Sequence, residues 1–108
     1  MIMSPVAERA AAHSSLSEIA YFSVHARAEP GVMPRVLELF AKRGLVPSRW
    51  RSAVAAGDPQ LLTIDIQVRG LGPEIGDYIA ACLRQIASVE AVSAGRQARP
   101  ADQARPAD

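Results

Sequence analysis

The stretch Arg27–Leu45, RAEPGVMPRVLELFAKRGL, does most to limit the folds open to this chain. It leaves an apolar strand, turns at Glu29-Pro30-Gly31, and predicts a short amphipathic helix over Val32–Arg43 that stops at Gly44. Pro30 fixes φ at the turn, and Gly31 has no Cβ to oppose a sharp bend. Met33, Val36, Leu37 and Phe40 fall at i, i+3, i+4 and i+7, one face of a 3.6-residue period. Val32 and Leu39 flank that face, and Arg35, Glu38, Lys42 and Arg43 lie opposite. Lys42 and Arg43 suit the negative end of the helix dipole, and Gly44 suits the position just beyond it. Pro34 falls in the first turn, where its missing N–H costs little. A strand, a Pro-Gly turn and a helix N-terminus together offer a place for a small anion. On residue physics alone the plainer reading, a tight strand-to-helix connection, comes first, since such turns are common.

The remaining segments repeat the two periods. Ile19–Ala28 alternates, with Ala20, Phe22, Val24 and Ala26 on one side and Tyr21, Ser23, His25 and Arg27 on the other, which predicts a half-buried strand. Leu45–Ala55 reads as a second strand, with Trp50 its one large apolar residue; Pro47 assigns it to a sheet edge or an irregular start. Ala56-Gly57-Asp58-Pro59 is a turn cluster. Leu61–Arg69 alternates most cleanly, Leu62, Ile64, Ile66 and Val68 against Thr63, Asp65, Gln67 and Arg69. Gly70-Leu71-Gly72 ends it, and Pro73 opens a second helix with Glu74 and Asp77 in its first turn. Its expected buried stripe is Ile75, Ile79, Cys82, Leu83 and Ile86. Val89–Ala94 is a short last strand, with Val89, Ala91 and Ser93 on one face and Val92 on the other.

The order strand, helix, strand, strand, helix, strand predicts an α+β fold. Right-handed crossovers place both helices on one face of a four-stranded antiparallel sheet, a ferredoxin-like βαββαβ sandwich. Residues 1–17 are expected to be a flexible leader, with transient helix over Val6–Ala12, and 18–95 the folded domain. Residues 96–108 hold QARPAD twice, at Gln97–Asp102 and Gln103–Asp108, a polar repeat expected to be disordered. An open sheet leaves two edges, and such edges often pair with a second copy, so a homodimer is expected.

Composition excludes several function classes. A formal charge of +1 on 108 residues gives no electrostatic footprint for nucleic acid or an anionic membrane surface. One Trp, two Tyr and two Phe, with no basic stripe among them, do not make a base-stacking platform. Cys82 has no intramolecular partner, no apolar run reaches spanning length, and the N-terminus lacks a signal layout, so a cytoplasmic protein is expected. Catalytic sets are thin. His13 lies in the leader, His25 sits on a polar strand face, and Cys82 falls on a helix stripe. No His, Cys, Asp or Glu spacing suggests a metal. Arg27 stands where an acylphosphatase-like enzyme on this topology would hold phosphate, but the Gly-rich cradle before the helix is missing.

The organising stretch resembles an ACT domain, a small regulatory module that binds amino acids in many metabolic enzymes. Its frame of strand, Asp/Asn-x-Pro-Gly, helix, Gly and strand is followed by Ala28-Glu29-Pro30-Gly31, Arg35–Phe40 and Arg43-Gly44-Leu45. Among ACT proteins the chain is most similar to the small regulatory subunit of acetolactate (acetohydroxyacid) synthase, through Glu29-Pro30-Gly31, Arg35-Val36, Leu39-Phe40, Arg43-Gly44, Leu83–Ile86 and Val89–Val92.

The resemblance implies a protein with no active site of its own. It would activate a catalytic large subunit that carries thiamine diphosphate and Mg²⁺, and in some members pass on feedback by valine. It also implies edge-to-edge pairing into an eight-stranded sheet with the effector at the dimer interface. The effector-binding residues carried over are Ala28, Glu29, Pro30, Gly31, Val32 and Met33, with Gly31 and Val32 offering N–H groups to a carboxylate. Val46 stands near the place of an Asn that commonly follows the helix-ending glycine. Ala28 and Val46 replace two polar ligands, which removes about 2–6 kcal/mol if each charged hydrogen bond contributes about 1.5–3. Weak or absent valine binding is therefore expected, and the short chain agrees with a mainly activating role. The alternative is a stand-alone ACT sensor, a homo-oligomer that binds an amino acid and serves no synthase. The exposed helix face with Arg35, Glu38 and Lys42 is either a contact for the large subunit or a solvated surface.

Overall fold

The two cleanest alternations in the sequence lie side by side. The computed structural model describes residues 18–98, in the order β1 (Glu18–Arg27), α1 (Val32–Ala41), β2 (Arg49–Ala55), β3 (Asp58–Arg69), α2 (Pro73–Arg84) and β4 (Val89–Ala98). β1 and β3 pair antiparallel with Ala20 opposite Val68, Phe22 opposite Ile66, Val24 opposite Ile64 and Ala26 opposite Leu62. This register stacks apolar against apolar on one face; a slip of one residue would put the two apolar rows on opposite faces and turn one of them to solvent. β2 adds outside β3 and β4 outside β1, giving the order β2-β3-β1-β4, antiparallel throughout. Each helix thus crosses over one strand, and the predicted βαββαβ sandwich is what forms.

The core lies between the sheet and the helices. Val32, Val36 and Phe40 of α1 and Ile79, Ala80 and Leu83 of α2 are buried with the apolar rows of β1 and β3. Phe40 meets Phe22 edge to face, and Arg43 lies 4.4 Å from the centre of the Tyr78 ring, joining the end of α1 to α2.

Several expectations change in detail. The buried stripe of α1 is Val32-Val36-Phe40, whereas Met33 and Leu37 are 36% and 44% exposed. The helix carries two apolar rows, and the sheet beneath it takes one. On α2, Ile75 is exposed and Cys82 only half-buried; Gly76 and Ala80 are buried in their stead. β2 starts at Arg49, because Gly44 at φ +70° and the Leu45 N–H, which donates to the Phe40 carbonyl, turn the chain into a connection. β3 reaches back to Asp58, shrinking the turn to Ala56-Gly57. Pro59 fits there because the β1 pairing begins only at Leu61, which leaves that end of β3 as an edge.

In β4 a bulge at Glu90, where Ala26 faces Val89 and His25 faces Ala91, brings Val89 and Val92 to the same apolar side and leaves Ala91 and Ser93 opposite. β4 also continues past Ala94 and Gly95 to Ala98. Arg96 donates to the Glu18 carboxylate and to the Leu71 carbonyl, both at 2.5 Å, and so fastens this extension across the start of β1. The expected leader helix, and the tail beyond Ala98, lie outside the described residues.

Candidate functional site

The β1–α1 turn is held from three sides. The Arg27 N–H donates to the Ser88 carbonyl at 2.9 Å, and the Ala28 N–H to the Gln60 carbonyl at 2.9 Å. Within the turn, the Glu29 N–H donates to the Arg27 carbonyl and the Val32 N–H to the Glu29 carbonyl. The Ser88 hydroxyl donates to the Glu29 carboxylate at 2.5 Å, and Arg27 stands 3.4 Å from its other oxygen. Chiefly through the Ser88 hydrogen bond, the Glu29 carboxyl is held below the ordinary glutamate range; slight desolvation opposes this and the Arg27 charge reinforces it.

These bonds alter the expected donor set. Val32, expected to present its N–H to an effector, has that N–H engaged by Glu29, and its side chain is buried. Pro34 has no N–H, and that of Arg35 donates to the Gly31 carbonyl. Among the described residues, Gly31 and Met33 are the two first-turn positions whose N–H groups have no backbone partner. A carboxylate at this helix N-terminus would meet Gly31 and Met33, not Gly31 and Val32.

The sequence-predicted residues divide between two recesses. Ala28 and Glu29, with Arg27, Pro59 and Gln60, line one of about 280 Å³. Met33, with Pro34, Leu37, Pro47 and Trp50, lines an apolar one of about 380 Å³ between α1 and the start of β2. Pro30 and Gly31 are exposed and separate the two in sequence; Val46 is 82% exposed and lines neither. Ser88, Gln60 and Trp50 were not foreseen at the turn or its recesses. Ser88 is 59 residues from Glu29, and only the crossover topology brings the two together.

The two sheet edges differ. On β4 the Arg84 guanidinium donates to the Val92 carbonyl at 3.0 Å, occupying an acceptor on that strand. Along β2, Val54 is half exposed, and half-buried Trp50 lines a recess with exposed Met33 and Leu37. Among the described residues, no cluster of three or more His, Cys, Asp or Glu could hold a metal, and no helix is long and apolar enough to cross a membrane.

A family model described as an ACT-like domain matches residues 13–101. No curated protein matches the chain. Among solved structures, the chain is similar to the acetolactate synthase small subunit from Thermotoga maritima, at 25% identity and a TM-score of 0.61. That match covers 70% of this chain and 46% of that one, so this chain spans under half of that subunit. It is also similar to the C-terminal domain of the MgtC protein from Mycobacterium tuberculosis, at 16% identity, 77% and 90% coverage and a TM-score of 0.62. The ACT domain from GTP pyrophosphokinase of Chlorobium tepidum matches at 10% identity, 71% and 96% coverage and a TM-score of 0.61. The last two likenesses establish the fold alone.

Proposed function

The chain belongs to the ACT-like domain family, and from that premise we propose that it is a non-catalytic regulatory subunit of acetolactate synthase. The observation that carries this reading is the likeness to the acetolactate synthase small subunit, which shares the fold at one quarter identity. In this reading the thiamine diphosphate and Mg²⁺ belong to the large subunit, and this chain raises that subunit's activity. Two copies pair through β2, because Arg84 occupies an acceptor on the β4 edge while apolar side chains flank the β2 edge.

Valine binding is weak or absent. Ala28 and Val46 supply no side-chain hydrogen bond, and only Gly31 and Met33 leave first-turn donors for a carboxylate.

The test is a pull-down from native lysate with the full chain as bait, followed by an acetolactate synthase assay on the eluate. A co-purifying large subunit whose activity falls when the bait is removed is the expected result. Failure to capture one, together with a thermal shift on adding a single amino acid, would replace this reading with a stand-alone amino-acid sensor.

A further inference from the structure

The face of the sheet turned away from the helices carries a second feature, independent of the regulatory-subunit reading. Strand register sets two rows across it: Arg51, Asp65, Ser23 and Ser93, then Arg49, Gln67, Tyr21 and Gly95. The rows border a recess of about 440 Å³. Its shape follows from side-chain size. Ser23, Ser93 and Gly95 keep the floor low, and a Cβ at Gly95 would meet nothing within 4 Å. The arginines of β2 form one wall.

The charges in this recess are unresolved. Arg49 and Arg51 are two residues apart on one strand, so both project from the same face and repel each other. Asp65 is the direct cross-strand neighbour of Arg51, the position from which a carboxylate ordinarily pairs. Yet among the described residues neither arginine makes an ion pair. Two guanidinium forks beside each other match an anion with two or more oxygens, which would relieve their repulsion. Asp65 adds a condition: it repels a bare anion and accepts from a ligand that also carries a donor. The hydroxyls of Ser23, Ser93 and Tyr21 can serve the same ligand's remaining oxygens.

We propose that this recess binds a small organic anion between Arg49 and Arg51, with a hydroxyl or ammonium group of the ligand donating to Asp65. Carboxylate and phosphate share the required chemistry.

The experiment is an ¹⁵N NMR titration of the full chain with glycerol 3-phosphate, glycerate and propyl phosphate in parallel, and sodium chloride at matched ionic strength. Expected are saturable shifts at the amides of Arg49, Arg51 and Asp65 with glycerol 3-phosphate or glycerate, with a dissociation constant below about 1 mM. The arm that saturates first identifies the anionic group. Propyl phosphate, which lacks the hydroxyls, binds more weakly than glycerol 3-phosphate, and D65A, which removes the acceptor, removes that difference. R49Q and R51Q each weaken binding about tenfold, roughly the loss of one charge-assisted hydrogen bond. All three side chains are exposed, so the variants stay folded, which the dispersion of the same spectra reports. Shifts that do not saturate, that sodium chloride reproduces, or that survive R49Q and R51Q overturn the proposal.

Discussion

Ser88 Oγ lies 2.5 Å from Glu29 Oε1, tying the Pro-Gly turn that opens α1 to the segment that leads into β4. One hydroxyl thereby connects the two halves of the βαββαβ repeat at the end of the sheet where the candidate effector residues gather. Because Glu29 is an exposed carboxylate, the bond acts on position and protonation more than on global stability.

Ser88→Ala is expected to move the Glu29 pKa upward, toward the ordinary glutamate range, leaving the weaker Arg27 interaction. A carboxyl whose pKa is depressed in the folded state stabilises the fold above its unfolded pKa, and that contribution is lost as pH falls through the folded value. The difference in thermal midpoint between the native chain and S88A should therefore be largest above the ordinary glutamate pKa and shrink as acid protonates Glu29. An NMR titration of the Glu29 side-chain carboxyl carbon reads the shift directly. An unchanged pKa would assign the depression to Arg27.

Phe40 is fully buried, and its ring meets that of Phe22 with centroids 5.6 Å apart and planes at 71°. Phe40→Ala should destabilise the fold by about 3–5 kcal/mol, since it removes both the buried area and the aromatic contact and leaves a cavity beneath α1. Denaturant unfolding checks this. A loss under about 1 kcal/mol would mean that the helix collapses into the space.

Gly76 is buried in α2, yet the chain needs no glycine there. A Cβ would stand 3.6 Å from Arg96 Nη1 and 3.9 Å from a Leu71 methyl, both ordinary contacts. Gly76→Ala should raise stability by about 0.5–1 kcal/mol through helix propensity and a less flexible unfolded chain. The same change at Gly44, where φ is +70°, should lower it by about 1–2 kcal/mol. Thermal melts of the two variants should move in opposite directions.

Val54→Asp places a charge beside the β2 edge without touching the core. If two copies pair there, the variant should sediment as a monomer, while Glu90→Lys, at an exposed position on β4, leaves the mass unchanged. The reverse result would assign the pairing to β4.

The sheet and its two covering helices could be read from the sequence because β1 and β3 each hold four apolar residues in strict alternation. Only registers that place both rows on the same face bury both, and that is the register formed. The stripe of α1 was legible in part: Val36 and Phe40 are buried as read, but Val32 completes the row in place of Met33 and Leu37, a choice between adjacent apolar rows that the period alone does not make. The extent of β4 was hidden for a different reason. Gly95 and the polar residues after it give no strand signal, and Arg96 is held by Glu18 and Leu71, far away in sequence. The turn at Pro30-Gly31 was evident from its residues. Its hydrogen bonds to Gln60 and Ser88 depend on how the strands stack, which no local pattern reports.

Glu18 and Ala98 are register partners, so the two ends of the described fold leave from the same corner of the sheet. Tension applied between them loads the β1–β4 ladder rung by rung, like a zipper, instead of shearing all its rungs at once. The first fastening to fail is Arg96 on Glu18. The outermost strand can thus peel away under small forces while β2, β3 and the helices keep their packing.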